Sequence, residues 1–178
     1  MIKKEIEVKI LNIDRKKIRS KLKELGARVI HRAVILNEVY FDLPGKKHQF
    51  SSFRLRSRGK RAFLTIKFKK LDDHFNIADE YETEVSGFAL MKNMLQLAGF
   101  TIFRERQKIR EEYVCGRVKV EIDEYPGMKP YLEIEATNKK NIETFLKRLG
   151  YSLSDTTNET ATAVIKRAGL SPNRLFFK

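Results

Sequence analysis

Polar and apolar residues alternate along much of this chain, in short runs separated by glycine and proline. The first run is Glu5-Ile6-Glu7-Val8-Lys9-Ile10. In a strand, Glu5, Glu7 and Lys9 share one face while Ile6, Val8 and Ile10 share the other. Taken alone, it reads as an amphipathic strand with a wetted charged face. Asp14 then suits an N-cap, Ile18, Leu22 and Leu25 recur at helical spacing, and Gly26 suits an αL C-cap, which together predict a short helix. Ala33 to Asp42 is β-branched and aromatic and predicts a strand, ending at the turn Leu43-Pro44-Gly45; Lys46 to Ser52 follows as a polar loop. Phe53-Arg54-Leu55-Arg56 and Phe63 to Lys69 alternate on either side of a turn at Ser57-Arg58-Gly59-Lys60. They predict a hairpin whose polar face is basic, with Arg54 and Arg56 on one strand and Thr65, Lys67 and Lys69 on the other.

Residues 70 to 79 read as a connecting loop. Beyond them Glu80, Glu82 and Glu84 share one strand face, and Phe88 to Leu97 predicts a helix closed by Gly99. Arg104, Arg106, Lys108 and Arg110 stand two apart on a further strand, where four like charges repel unless an anion or carboxylates lie opposite. Arg117 to Asp123 alternates again, Pro126-Gly127 turns the chain, and Tyr131-Leu132-Glu133-Ile134-Glu135 repeats the opening pattern. A helix is expected from about Asn141 to Gly150, and a last one from about Glu159 to Ala168, followed by a tail. Three segments share a format of strand with Glu-x-Glu, helix ending in Gly, and extended segment; it fits either a weak internal repeat or ordinary punctuation.

The pattern gives seven or eight antiparallel strands, each half apolar and half charged, with three or four helices. Either the charged face of one sheet is wet, or the sheet closes so that charges line a cavity and apolar faces meet helices outside. Enclosure is tolerable only where opposite signs pair or a ligand supplies the missing charge.

Composition narrows the classes. With 178 residues, 42% hydrophobic, and twelve Phe, the chain has the material for a packed core, and a single domain over 1–178 is expected. Its single cysteine, Cys115, excludes an internal disulfide. Met1 to Glu5 is too charged to begin a signal peptide, and no run of about 18 apolar residues occurs, so a cytoplasmic protein with no membrane partner is expected. The net charge of +14 points to a polyanionic partner. Because bases and acids interleave along the strands rather than clustering, a nucleic-acid surface is not indicated, except for recognition of a 5′-triphosphate end. No Walker-type or Rossmann glycine motif is present. His31, His48 and His74 are too scattered for zinc and read as surface or loop residues, and Cys115 reads as a small strand residue.

The ordered set Glu5-x-Glu7-x-Lys9, Tyr40-Phe41-Asp42, Arg54 and Arg56, Lys67, Glu82 and Glu84, Lys108 and Arg110, Asp123 before Pro126-Gly127, and Glu133 with Glu135 resembles the CYTH superfamily of triphosphate tunnel proteins. That group includes class IV adenylyl cyclases, thiamine triphosphatases and tripolyphosphatases. The resemblance implies an α+β fold: an eight-stranded antiparallel β-barrel with a charged interior and helices packed outside. It implies Mg²⁺ or Mn²⁺ held by Glu5, Glu7, Asp123, Glu133 and Glu135. It assigns phosphate to Lys9, Arg54, Arg56, Lys67, Lys108 and Arg110, and the handling of a water to Tyr40, Lys9 and Lys67. Glu82 and Glu84 are expected to line the tunnel. Glu80, Lys69, Arg104, Arg106, Lys119 and Glu121 have interior parity and are expected at its rim.

The family's last helix often carries Ser-Tyr near its start. Asn158 to Thr162 has no Tyr, so no contact from that helix is carried over, and Lys166 and Arg167 read as a solvated face. The implied partner is a triphosphate-bearing small molecule; a homodimer is compatible with the resemblance. The implied activity is a metal-dependent triphosphatase, favoured by the complete Glu133-x-Glu135 pair. Class IV adenylyl cyclisation of ATP is the alternative, supported by the KIREEY run and the Asp-x-x-Pro-Gly turn. A non-catalytic polyphosphate or nucleotide binder is the third.

Overall fold

The computed structural model describes residues 2–45 and 49–178. His48 and the beginning of the expected loop lie outside the described residues. Along the chain come β1 (Ile2–Ile10), α1 (Arg15–Glu24), β2 (Arg28–Asp42), β3 (Ser52–Arg58), β4 (Arg61–Lys70), β5 (Asn76–Val85) and α2 (Phe88–Leu97). They are followed by β6 (Thr101–Cys115), β7 (Val118–Glu124), β8 (Tyr131–Ala136), α3 (Lys139–Leu149), α4 (Ala161–Arg167) and β9 (Arg174–Leu175).

Eight antiparallel strands run in the order β2-β3-β4-β5-β1-β8-β7-β6, and β6 pairs back onto β2 to close the barrel. Closure removes every open edge among those eight strands. It also settles the two arrangements that alternation left open: apolar faces point outward under helices and charged faces point inward. Ile6, Val8 and Ile10 of β1, Val120 and Ile122 of β7, and Leu132 and Ile134 of β8 form the main core with Ile18 and Leu22 of α1 and Ile142, Phe145 and Leu146 of α3. A second core joins Val39, Phe41, Phe53 and Leu55 to Phe88, Met91 and Leu95 of α2. A third, of Tyr125, Tyr131 and Ile165, seats α4 beside the ends of β7 and β8.

Local chemistry explains the boundaries. The Asp14 carboxylate accepts the backbone N–H groups of Lys16 and Lys17 and starts α1 as expected. The turn between β3 and β4 is tighter than expected, because Ser57 and Arg58 remain in the strand and Gly59 takes φ +59°. β2 begins at Arg28 rather than Ala33, because its first residues pair with the far end of the 15-residue β6. β5 begins at Asn76, which shortens the expected 70–79 loop. Asn138 caps α3, which starts at Lys139, two residues before the predicted Asn141, and Thr160 caps a last helix shorter than predicted. The tail adds β9, parallel to β6, which the sequence did not suggest. No helix among the described residues is long and apolar enough to cross a membrane.

Candidate functional site

The inward faces enclose a cavity of about 740 Å³. Among the described residues, eleven Lys and Arg and eight Glu side chains line it, leaving three surplus positive charges.

The acidic wall comes from β1 and β8. Their register sets Glu7 opposite Glu135 and Lys9 opposite Glu133. Directly opposed carboxylates repel, and ammonium groups answer them. Lys9, 1% exposed, lies 2.5 Å from Glu7 and 3.4 Å from Glu133. Lys67 bonds Glu5 and sits 2.7 Å from Glu80, while Lys3 and Lys119 reach Glu135. Asn76 donates to Glu7 at 2.8 Å.

These acids differ in protonation. Burial alone would raise Glu7, but Lys9 and Lys67 outweigh it and hold the carboxyl at about 2. Glu133 goes the other way: burial, with repulsion from Glu7 and Asp123 added, pushes it up to about 7 against the pull of Lys9 and Lys108. Burial likewise raises Glu5; Lys67 opposes it, while Glu7, Glu80 and Glu135 add to it. Lys9 and Lys67 are both shifted upward, since their carboxylate neighbours overcome the desolvation that would lower them.

The basic wall comes from β3 and β6. Arg54 and Arg56 point inward from β3, and Arg104, Arg106, Lys108 and Arg110 from β6. Their main counter-ion was not recognised in the sequence. Glu38, with 1% exposure, is 3.1 Å from Arg54, 2.9 Å from Arg106 and 3.8 Å from Lys108. It also accepts the hydroxyls of Tyr40 and Tyr125, each at 3.2 Å. Burial would raise its carboxyl, yet Lys108, Arg106 and Arg54 hold it well below the usual range. Parity offered a signal, because Glu38 lies two residues before Tyr40 on the same strand face. Tyr125 gave none; it sits in a turn, stacked on Tyr131 with centroids 6.3 Å apart and with the Arg106 guanidinium 4.9 Å over its ring.

Arg110 anchors the far side, with a nitrogen 2.5 Å from Glu121, 2.5 Å from Asp123 and 2.8 Å from Glu133. Among the described residues, these three acids are the ones whose carboxylate oxygens lie within 4.8 Å of one another. The sequence expectation needs adjusting here. Glu121 and Arg106, expected at the rim, are 4% and 3% exposed inside the barrel, because β6 and β7 carry them to mid-tunnel. Asp123 sits behind the wall, holding Lys108 at 2.7 Å and Arg110 rather than facing the cavity. Glu82 lines the cavity and accepts from Arg56 and Thr65. Glu84 does not belong with it: it is exposed and paired with Arg61, because the strand has left the barrel interior by that residue. Glu80, Lys69, Arg104 and Lys119 do line the cavity.

α4 reaches the tunnel although it has no Tyr near its start. Thr162 accepts from Arg104 at 2.9 Å, and Thr160 and Ala161 also line the cavity. Lys166 and Arg167 are exposed, with Arg167 paired to Glu159. His31 and His74 do not line the cavity; His31 pairs with Glu112 across β2 and β6, and the His74 backbone N–H donates to Asp72.

The model of the CYTH domain matches residues 3–161. A Methanocaldococcus jannaschii protein, named as a candidate adenylate cyclase, is 27% identical over 135 residues, covering 74% of this chain and 75% of the relative. Among solved structures, a protein of Pyrococcus horikoshii is similar with a TM-score of 0.73 and 26% identity, over 88% of this chain and 96% of that one. A Hippeastrum protein, described as a candidate adenylyl cyclase with a dominant triphosphatase activity, shares the fold with a TM-score of 0.65 and 17% identity, over 93% and 96%.

Proposed function

The chain belongs to the CYTH domain family, and from that premise we propose that it is a divalent-metal-dependent phosphohydrolase acting on inorganic or organic triphosphates. The observation that carries the reading is the charge distribution of the cavity: a surplus of bases overall, and a local excess of acid around Glu133. A triphosphate meets the first, and a divalent cation the second.

The donor set fits Mg²⁺ or Mn²⁺, which favour oxygen ligands. Glu5, Glu7, Glu133 and Glu135 would hold the cation, with Glu121 and Asp123 close to Glu133. When bound, it supplies charge neutralisation at the phosphate oxygens. Phosphoryl transfer asks mainly for in-line positioning and neutralisation, so no covalent nucleophile is required. Arg54, Arg56 and Arg110 offer planar forks that match phosphate oxygens in pairs, while Lys9, Lys67 and Lys108 act as mobile point charges. Lys9 and Lys67 stay protonated beside their carboxylates, so their part is to orient and neutralise rather than to take a proton from water. The Tyr40 hydroxyl donates to Glu38 and accepts from Arg106 at 2.5 Å, which suits it to fixing the arginines against the phosphates.

Adenylyl cyclisation is the second reading, favoured by the name of the Methanocaldococcus relative. The same groups would serve it, with the ribose 3′-hydroxyl attacking the α-phosphate and pyrophosphate leaving. One assay separates them: purified protein with tripolyphosphate, ATP or thiamine triphosphate and Mg²⁺ or Mn²⁺, products resolved as phosphate, pyrophosphate and cyclic AMP. Release of phosphate, lost in Glu7→Ala and Glu133→Ala variants that remain folded, supports hydrolysis. Cyclic AMP with pyrophosphate overturns it, and triphosphate binding without any product makes the protein a binder.

A further inference from the structure

Most of the positive charge of the chain lies outside the tunnel. The cavity accounts for three of the fourteen surplus charges. On the outer face of the barrel, α1 and α3 together carry ten Lys and Arg and two Glu, a net of eight.

The C-terminal ends of these helices meet. The Arg148 guanidinium of α3 and the Cys115 thiol both donate to the Leu25 carbonyl at the end of α1, each at 3.4 Å. Five exposed bases from four stretches of sequence gather at this junction. Lys23 stands two residues before Leu25, and Arg28 starts β2 three residues after it, paired with Val114. Arg117 lies in the turn between the paired Cys115 and Val118, and Lys147 and Arg148 lie in the last turn of α3. Among the described residues no carboxylate lies within 4.0 Å of any of the five. Glu24 pairs with Lys21 at 3.5 Å, and Glu143 lies one turn before Lys147. Lys16 extends the group, two turns before Lys23 on the same face of α1. That separation is about 10 Å, the rise of about three base steps in one nucleic-acid strand.

Cations gathered without acids repel one another, and a polyanion relieves the repulsion. The surroundings choose among polyanions. Docking on a bilayer asks for an apolar face beside the basic one. Here Ile18 and Leu22 of α1 and Phe145 and Leu146 of α3 are committed to the core, and neither helix shows an exposed large apolar side chain. The exposed Val29 beside Arg28 is too small an anchor. An acidic protein would need an apolar centre to its interface, which is missing for the same reason. A single strand asks for aromatic platforms, and the exposed aromatic side chains among the described residues, Phe68, Tyr81, Phe103 and Phe176, lie on other elements. A duplex backbone needs only exposed cations.

We propose that Lys16, Lys23, Arg28, Arg117, Lys147 and Arg148 form a docking surface for the phosphate backbone of double-stranded nucleic acid, bound without regard to sequence. The surface lies outside the barrel and is independent of what the tunnel holds.

Fluorescence anisotropy of the full chain with labelled DNA and RNA duplexes of about two helical turns, each with hydroxyl ends, tests it. Excess tripolyphosphate is present to occupy the tunnel. Six phosphate contacts imply a slope of about −5 in log affinity against log salt, and about a thousandfold loss between about 50 and 200 mM salt. Lys23→Ala combined with Arg117→Ala and Lys147→Ala is expected to bring the slope to about −3, with tripolyphosphate affinity within about twofold of the parent. Lys23→Arg with Lys147→Arg is expected to keep the parent slope. Should the triple variant not fold, Lys16→Ala with Lys23→Ala, confined to the exposed face of α1, is expected to lower the slope by about 2. Absence of duplex binding at low salt overturns the proposal, as does an unchanged slope in the alanine variants. Displacement of the duplex by tripolyphosphate also overturns it, by placing the duplex in the tunnel. Tighter binding of a single strand of the same length, or of phosphatidylserine vesicles in place of either duplex, overturns it in favour of that partner. Binding of either duplex supports the surface, and a preference between DNA and RNA identifies the source.

Discussion

The Glu38 carboxylate lies 2.9 Å from the Arg106 guanidinium, with neither side chain more than 3% exposed. The same carboxylate serves Arg54 and Lys108, so one buried acid holds three cations that stand where phosphate is expected. Removing one partner of a buried ion cluster leaves uncompensated charge. Glu38→Gln is therefore expected to destabilise the ligand-free protein by about 3 kcal/mol. Tripolyphosphate, binding only the folded state, is expected to restore much of the loss. Thermal melts with and without tripolyphosphate check both halves; a variant as stable as the parent without ligand removes Glu38 from this role.

Glu133 gives a pH dependence. In the metal-free protein its carboxyl is raised to about 7, above its ordinary value. The stability it contributes is fully present below the unfolded pKa, near 4.5, and is lost as pH rises through 7. The loss is on the order of 3 kcal/mol. Melting curves of metal-free protein at pH 5 and pH 8 are expected to show it, and Glu133→Gln to flatten the difference. Saturating Mg²⁺ is expected to reverse the sign, because the ligand binds the ionised carboxylate.

Arg110 bridges Glu121, Asp123 and Glu133 through a planar fork. A lysine keeps the charge and loses that geometry. Arg110→Lys is expected to weaken tripolyphosphate binding by about tenfold in calorimetry. Unchanged affinity in a folded variant removes Arg110 from the phosphate set.

Leu22 offers a control outside the tunnel. It is fully buried between α1 and the outer barrel face. Leu22→Ala is expected to cost about 3 kcal/mol through lost burial and the cavity left behind. Denaturant titration reads that loss, while affinity for tripolyphosphate measured well below the melting point is expected to stay within twofold of the parent.

The sequence by itself determined most of the strands and which residues share each face, because a period of two assigns every side chain to a face without knowledge of the neighbours; which face is inner was left to the closure of the barrel. Glu5, Glu7 and Lys9, the Arg54 and Arg56 pair and the Glu133 and Glu135 pair were all legible this way, and their order carried the resemblance to the family. Partnership was not legible, since it depends on register between strands far apart in sequence. Closure of β6 onto β2 decided that Glu38 would neutralise Arg54, Arg106 and Lys108. The strand pairing of β6 and β7 decided that Arg106 and Glu121 would be buried mid-tunnel, while Glu84, near the end of β5, is exposed and Glu82 lines the cavity. The tertiary structure alone brought Thr162 to Arg104, because that contact depends on where α4 and the ends of the strands meet.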